Sequence, residues 1–254
     1  MDFSDDDLLR YSRHILLDAI GIDGQQRLSA ARVFVVGVGG LGSSVLLHLA
    51  AAGVGELFIA DADYVELSNL QRQLVHREHR LGMAKVLSAQ QELCLVNPQV
   101  KVHPIASHLF EPALSEWVAR VALVIDCSDN FATRYALNRA CVVQQKPLIC
   151  GAAMAFQGQV TVVDARYGPC YQCLFGDTEV AEANRCVASG VFAPLVGVVG
   201  SLQAAEALKA LTGCGNLLLG QLLHIDLLAH RWRQIPYYRD SACCVCAKQP
   251  CLHR

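Results

Sequence analysis

The hexapeptide Gly37-Val38-Gly39-Gly40-Leu41-Gly42 limits what this chain can fold into more than any other segment. It follows a run of apolar, β-branched residues, Arg32-Val-Phe-Val-Val, and opens a stretch of small and apolar residues, 40–52, that ends at Gly53. That order reads as buried strand, tight turn and helix. The spacing fits a nucleotide fingerprint in which one glycine turns the chain, one lets the backbone approach a phosphate and one lets helix pack on strand. The helix start then offers unpaired N–H groups to an anion. Asp61 closes the next strand-like run, 56–61, where a carboxylate can accept from both ribose hydroxyls. Gly37, Gly39, Gly40, Gly42 and Asp61 are therefore expected to bind a nucleoside. The fingerprint alone fits NAD, FAD, S-adenosylmethionine or ATP.

The rest of the chain alternates in the same way. Residues 4–18 read as an amphipathic helix opened by Ser4, with Arg10, Arg13 and His14 toward its end. Residues 83–96 are helical and stopped by Asn97-Pro98. Residues 100–105 and 122–126 read as strands, 114–118 and 130–144 as helices, and 147–151 and 159–164 as further strands. A long buried helix is expected at 193–211 and late strands at 222–226 and 232–236, with polar loops at 62–82 and 165–190. No linker divides the 254 residues, so one domain, 1–254, is expected. Its class is α/β: a Rossmann-like, mainly parallel sheet with helices on both faces and antiparallel strands on the C-terminal side.

Net charge is −2 and 53% of residues are apolar, which gives no bulk reason to expect a nucleic-acid or membrane partner. The acidic, polar residues 1–7 do not read as a signal peptide, and no uninterrupted apolar run reaches membrane-spanning length. Twelve cysteines without a secretion signal argue against a disulfide framework and for a reducing, cytoplasmic location. Cys94, Cys127, Cys141 and Cys150 fall in strand- or helix-like contexts and read as small core residues.

Two polar segments choose among nucleotides. Ser68-Asn69-Leu-Gln-Arg72-Gln73 follows Asp61, and Lys85 comes on the next helix. A dehydrogenase has no use for Asn69, Arg72 and Lys85 near the phosphate end. A triphosphate does, because charge grows as pyrophosphate leaves and fixed cations lower that barrier. The competing reading is a solvated basic loop of Arg72, His76, Arg77, His79 and Arg80. Asp126-Cys-Ser-Asp129-Asn130 follows a buried strand at the carboxyl edge, where such sheets bind ligands. Asp129 can hold Mg²⁺ against the phosphates or cap the next helix. Asn130 can cap that helix or touch the nucleotide.

In that order these motifs resemble the bacterial ubiquitin-activating-enzyme-like adenylyltransferases, which activate the small subunit of molybdopterin synthase and the thiamine sulfur carrier. The resemblance runs from Arg10-Tyr-Ser-Arg13 to the terminal cysteines. It implies adenylation of the Gly-Gly carboxylate of a ubiquitin-like carrier, with ATP and Mg²⁺ as cofactors. It also implies contacts to the adenosine and ribose from Gly40 and Asp61, to phosphates from Asn69, Arg72 and Lys85, and to magnesium from Asp129. Arg13 would reach the other subunit's site, which makes a homodimer the active unit. A sulfurtransferase or cysteine desulfurase is a further expected partner. Gly151-Ala-Ala-Met and residues 188–195 lean toward the molybdopterin branch, Asn184-Arg-Cys186 toward the thiamine branch.

Cys170-x-x-Cys173 and Cys243-x-x-Cys246 supply four thiolates, the number a closed structural Zn²⁺ site takes. Such a metal would staple a loop to the tail, and the resemblance places zinc here too. Cys244, Cys251 and His253 are alternative ligands. Arg185 can stabilise a Cys186 thiolate; the resemblance implies a covalent role with the carrier in the thiamine branch, and the competing reading is a spectator thiol. Two rival classes remain at this level: a nucleotide-dependent oxidoreductase, and a non-catalytic module that only holds carrier proteins.

Overall fold

A computed structural model describes residues 3–176 and 190–247. The central strands are near-continuous apolar runs, which suits a parallel sheet covered on both faces. They are β1 (Arg32–Val36), β2 (Glu56–Ala60), β3 (Lys101–Ile105), β4 (Leu123–Asp126), β5 (Leu148–Met154), β6 (Gln157–Val163), β7 (Gln221–Asp226) and β8 (Arg231–Pro236). They form one sheet in the order β3-β2-β1-β4-β5-β6-β7-β8. β3 through β5 pair in parallel, and β5-β6, β6-β7 and β7-β8 pair antiparallel. The expected doubly wound half and its antiparallel extension are both present.

The period-2 pattern sorts the core into two layers. Val33, Val35, Leu57, Ile59, Leu123, Ile125 and Ile149 point to one face. There they meet α3 (Gly21–Ala30), α4 (Gly40–Ala51), α5 (Lys85–Val96) and α9 (Ala193–Thr212). Phe34, Phe58, Val124, Leu148 and Cys150 point to the other. That face is covered by α6 (Ala113–Ala119), α7 (Phe131–Val143) and α8 (Tyr171–Phe175). α9 is long and apolar enough to cross a membrane by length and composition. Here it is a core helix: it packs on α4, α3, β5 and β6 and buries Gln203 and Glu206.

Three segments depart from the sequence reading, one of them α8, a short helix inside the expected loop 165–190. Residues 4–18 form two short helices, α1 (Asp5–Arg10) and α2 (Ser12–Ile15), not one. Ser4 caps α1 as expected, in a capping box with Asp7. The helix breaks at Tyr11 because that ring turns inward: it is 5% exposed, and its hydroxyl donates to Gln99 and accepts from Asn97. α3 was not expected, since Gly21 and Gly24 weaken its helical pattern. Packing decides the matter there, with Leu28 fully buried and Gln25 donating to Ala52 O at 2.8 Å.

Candidate functional site

The register lines up three chain turns at one edge. Val36 pairs with both Ala60 and Asp126, so β1, β2 and β4 end together and Gly37, Asp61 and Cys127 follow in a row. Strand order reverses between β1 and β4, which is where open α/β sheets leave a ligand crevice. The glycines divide their duties. Gly37 has φ +95°, and a Cβ there would lie 2.5 Å from Cys127 O. A Cβ at Gly42 would lie 2.1 Å from Gly37 O, and one at Gly40 would lie 2.9 Å from Val196 of α9. Gly39 alone has room, with Gln73 Nε2 as nearest neighbour at 3.6 Å. Three glycines thus serve protein packing, and at Gly39 the space beside the backbone is open. α4 has no side-chain cap at Gly39, so its first N–H groups remain for an external anion.

Asp61 holds this loop. Its Oδ2 accepts from Val38 N at 2.7 Å, and its Oδ1 accepts from Asp63 N at 2.8 Å. From the other side, His76 Nε2 donates to Val38 O at 2.9 Å. Gln73 is 4% exposed, and its Oε1 has no hydrogen-bond partner among the described residues. A buried, unpaired amide oxygen costs about 1–3 kcal/mol and asks for a donor.

The loop after β2 carries Ser68, Asn69 and Arg72, the residues expected on the phosphate side, and leads to Lys85. Asn69 and Lys85 are buried, at 9% and 6% exposure, and Arg72 is half-buried. Lys85 Nζ pairs with the exposed Asp63 at 2.8 Å. Asn69 Oδ1 accepts from Glu66 N at 3.3 Å, and Arg72 donates to Ser68 O at 3.0 Å. Ser68 is exposed and donates to Glu66. The picture of a uniformly solvated basic loop is corrected. Arg80 is buried on Glu92 at 3.0 Å, Arg77 pairs with the same carboxylate, and His76 is buried. Glu92 thus takes up two cations, whereas Arg72 and Lys85 bond elsewhere, to Ser68 O and Asp63.

The turn after β4 is clamped from three directions. Asp126 Oδ1 accepts from Ser128 N and Ser128 Oγ at 2.9 and 2.6 Å. Arg134 of α7 donates to Ser128 O at 2.7 Å, and Gln203 of α9 donates to Asp126 O at 2.7 Å. Asp126 is fully buried, and burial pushes its carboxyl up against the pull of the Arg134 guanidinium. Asn130, not Asp129, caps α7: its Oδ1 accepts from Thr133 N at 2.9 Å. Asp129 is exposed and has no hydrogen-bond or ion-pair partner among the described residues. A carboxylate freed from capping and set on a rigid turn suits a hard cation.

The four cysteine sulfurs of Cys170, Cys173, Cys243 and Cys246 lie within 4.8 Å of one another. Their pairs at 3.9, 3.7 and 3.4 Å bracket the sulfur–sulfur edge of about 3.8 Å that a tetrahedral Zn²⁺ with Zn–S about 2.3 Å requires. Asp240 N lies 3.5 Å from the Cys173 sulfur and Asn138 Nδ2 lies 3.7 Å from that of Cys170, second contacts that steady thiolates. Cys244 is exposed and lies outside the cluster. Cys127, Cys141 and Cys150 are core residues as expected, but Cys94 is exposed.

Comparison with known proteins identifies the lineage. Residues 11–246 match the ThiF family. The chain belongs to that family. It is 42% identical to the molybdopterin-synthase adenylyltransferase of Escherichia coli (strain K12), over 97% of this chain and 99% of that protein. It is 43% identical to the sulfur carrier protein ThiS adenylyltransferase of the same organism, over 96% of each. Among solved structures it resembles Escherichia coli MccB crystallised with ATP. There the TM-score is 0.82 and identity 25%, over 93% of this chain and 74% of that one.

Within this ThiF-family fold the sequence-derived residues are only partly brought together. Gly37, Gly39, Gly40, Gly42, Asp61 and the turn bearing Asp129 meet at one sheet edge, with Lys85 tied to Asp63 beside it. Arg13 is exposed on α2, which packs on α1 and α3. Cys186, Arg185, Cys251 and His253 lie outside the described residues. Sequence reasoning gave no role to Gln73, His76, Asp126 or Arg134. For Gln73 a signal existed, since it closes the motif that begins at Ser68. For His76 and Arg134 none did, because their partners, Val38 and Ser128, are fixed only by the tertiary fold.

Proposed function

We propose that this chain transfers AMP from ATP to the C-terminal Gly-Gly carboxylate of a ubiquitin-like sulfur-carrier protein, of the molybdopterin-synthase small-subunit type, and releases pyrophosphate. The observation that carries the reading is near-complete alignment, at 42% identity, with an adenylyltransferase of that name. It is joined to a crevice whose cations and free carboxylate suit a triphosphate. The thiamine-carrier enzyme aligns equally well, so the same chemistry on that carrier is the second reading.

The α4 N-terminus and Gly39 receive phosphate oxygens, and Asp61 receives the ribose. Arg72, Lys85 and Asn69 gather around the departing pyrophosphate, where a fixed positive charge offsets the charge that builds up. Lys85 exchanges the exposed Asp63 for phosphate. Mg²⁺ at Asp129 would supply further charge neutralisation. The carrier's carboxylate attacks the α-phosphorus, its oxygen–phosphorus bond forms, and the bond to pyrophosphate breaks. No general base is required, because a carboxylate is ionised at pH 7. The acyl-adenylate then awaits a sulfur nucleophile from a sulfurtransferase or cysteine desulfurase. Zn²⁺ held by Cys170, Cys173, Cys243 and Cys246 would join the loop before α8 to the tail. A homodimer in which Arg13 reaches the partner's site, in a cytoplasmic setting, completes the proposal.

The test is exchange of labelled pyrophosphate into ATP. The proposal expects exchange only when a Gly-Gly-ended carrier is present, and running the molybdopterin and thiamine carriers side by side decides the branch. Exchange without any carrier, or NAD binding in place of ATP binding, would sink it.

A further inference from the structure

We infer that His76 is a positioning residue for nucleotide binding: by donating from Nε2 to Val38 O it fixes the spacing between the glycine loop and the first turn of α5, which carries Lys85. The inference deepens the adenylation reading and rests on it. Val38 O is a carbonyl and can only accept, so the ring nitrogen 2.9 Å away must carry the proton. The other nitrogen, Nδ1, lies 2.9 Å from Ser88 Oγ, one turn beyond Lys85 on α5. A neutral ring then accepts there from the serine hydroxyl. The imidazole is 3% exposed with both nitrogens engaged by protein, so it is not itself a phosphate ligand.

The consequence lies in what Val38 does. Its N–H is held by Asp61 and its carbonyl by His76, so the two successive peptide units that meet at Val38 are each pinned inside the glycine loop. Through Ser88 the same ring reaches α5. The glycine loop, the ribose acid and Lys85 are thereby set in one frame, and a triphosphate spanning them meets donors already at their distances. Three charged groups face the ring. Lys85 from α5 and Arg80 from the preceding turn oppose a second positive charge, and Asp61 at the end of β2 favours one. Burial outweighs the rest and holds the imidazole below its ordinary value of 6.5.

The test combines a tautomer measurement with ATP affinity. ¹⁵N-histidine NMR of the full chain at pH 7 is expected to show His76 as the neutral Nε2–H form. Calorimetric titration with ATP and Mg²⁺ is expected to show binding about tenfold weaker in His76→Phe, the loss that one buried hydrogen bond corresponds to. His76→Gln, whose amide can still donate to Val38 O, should recover most of that affinity. Ser88→Ala should show a smaller weakening and covers the case in which His76→Phe does not fold. Affinity for the carrier should stay unchanged throughout. An imidazolium or Nδ1–H form at pH 7, or undiminished ATP affinity in the folded variants, overturns the inference. A wild type that binds no ATP overturns the adenylation reading as well, which separates the two failures.

Discussion

Asp129 is the residue on which the proposed chemistry turns. Asn130 takes the helix cap, so the neighbouring carboxylate has no structural duty among the described residues. Asp129→Ala should therefore lower carrier-dependent pyrophosphate exchange at least about a hundredfold, the scale of removing a fixed charge-stabilising group. Its melting temperature should stay within about 2 °C of wild type, since exposed substitutions shift stability little. A non-catalytic carrier-binding module predicts the opposite, full function in the same variant. Lys85 behaves differently because it is buried on Asp63. Lys85→Met should lose exchange too, while Asp63→Asn, which removes only the resting partner, should lose much less.

At the scale of elements, the cysteine pairs bring α8 and the tail after β8 together, within one hydrophobic cluster. One zinc per chain is expected by metal analysis, and a strong chelator should lower the melting temperature. Cys243→Ser should bind less than one equivalent, and Cys244→Ser should bind one, since only the former sits in the cluster. The segment from β2 to α5 carries a pH signature. His76 is held below its ordinary pKa by burial, so it disfavours the protonated form only when folded. That contribution is fully present above about pH 6.5 and is lost as pH falls through that value toward the lowered one. Urea midpoints should drop between pH 7.5 and 5.5, and His76→Phe should flatten part of the drop.

The same elements show what the sequence makes legible. β1, the glycine turn and α4 were readable because period, turn residues and Gly53 agree on one local structure. The two cysteine pairs were readable because ligand spacing is a local code. The break at Tyr11 and the presence of α3 were not, because each depends on burial against residues distant in the chain. Nor was the division between cations that serve Glu92 and those left for a phosphate. Arg77, Arg80 and Arg72 look alike in a basic loop, and only the position of α5 separates them.

At the scale of the whole molecule, the sheet brings the ends of β1, β2 and β4 to one edge, and α2 places Arg13 on the surface. If Arg13 completes the partner's site, Arg13→Ala and Asp129→Ala chains mixed and re-equilibrated should complement. Half of the dimers are then mixed, each with one intact site, and exchange returns to about a quarter of wild type. An arginine acting within its own chain gives no recovery. The central claim is that AMP passes to a carrier's terminal carboxylate. The mass of a Gly-Gly-ended carrier incubated with this chain, ATP and Mg²⁺ tests it most directly. The account predicts a gain of one AMP that hydroxylamine removes and that is absent when the final glycine is deleted. A carrier that never gains AMP while the chain binds ATP, or one that gains it equally well without its last glycine, would contradict it.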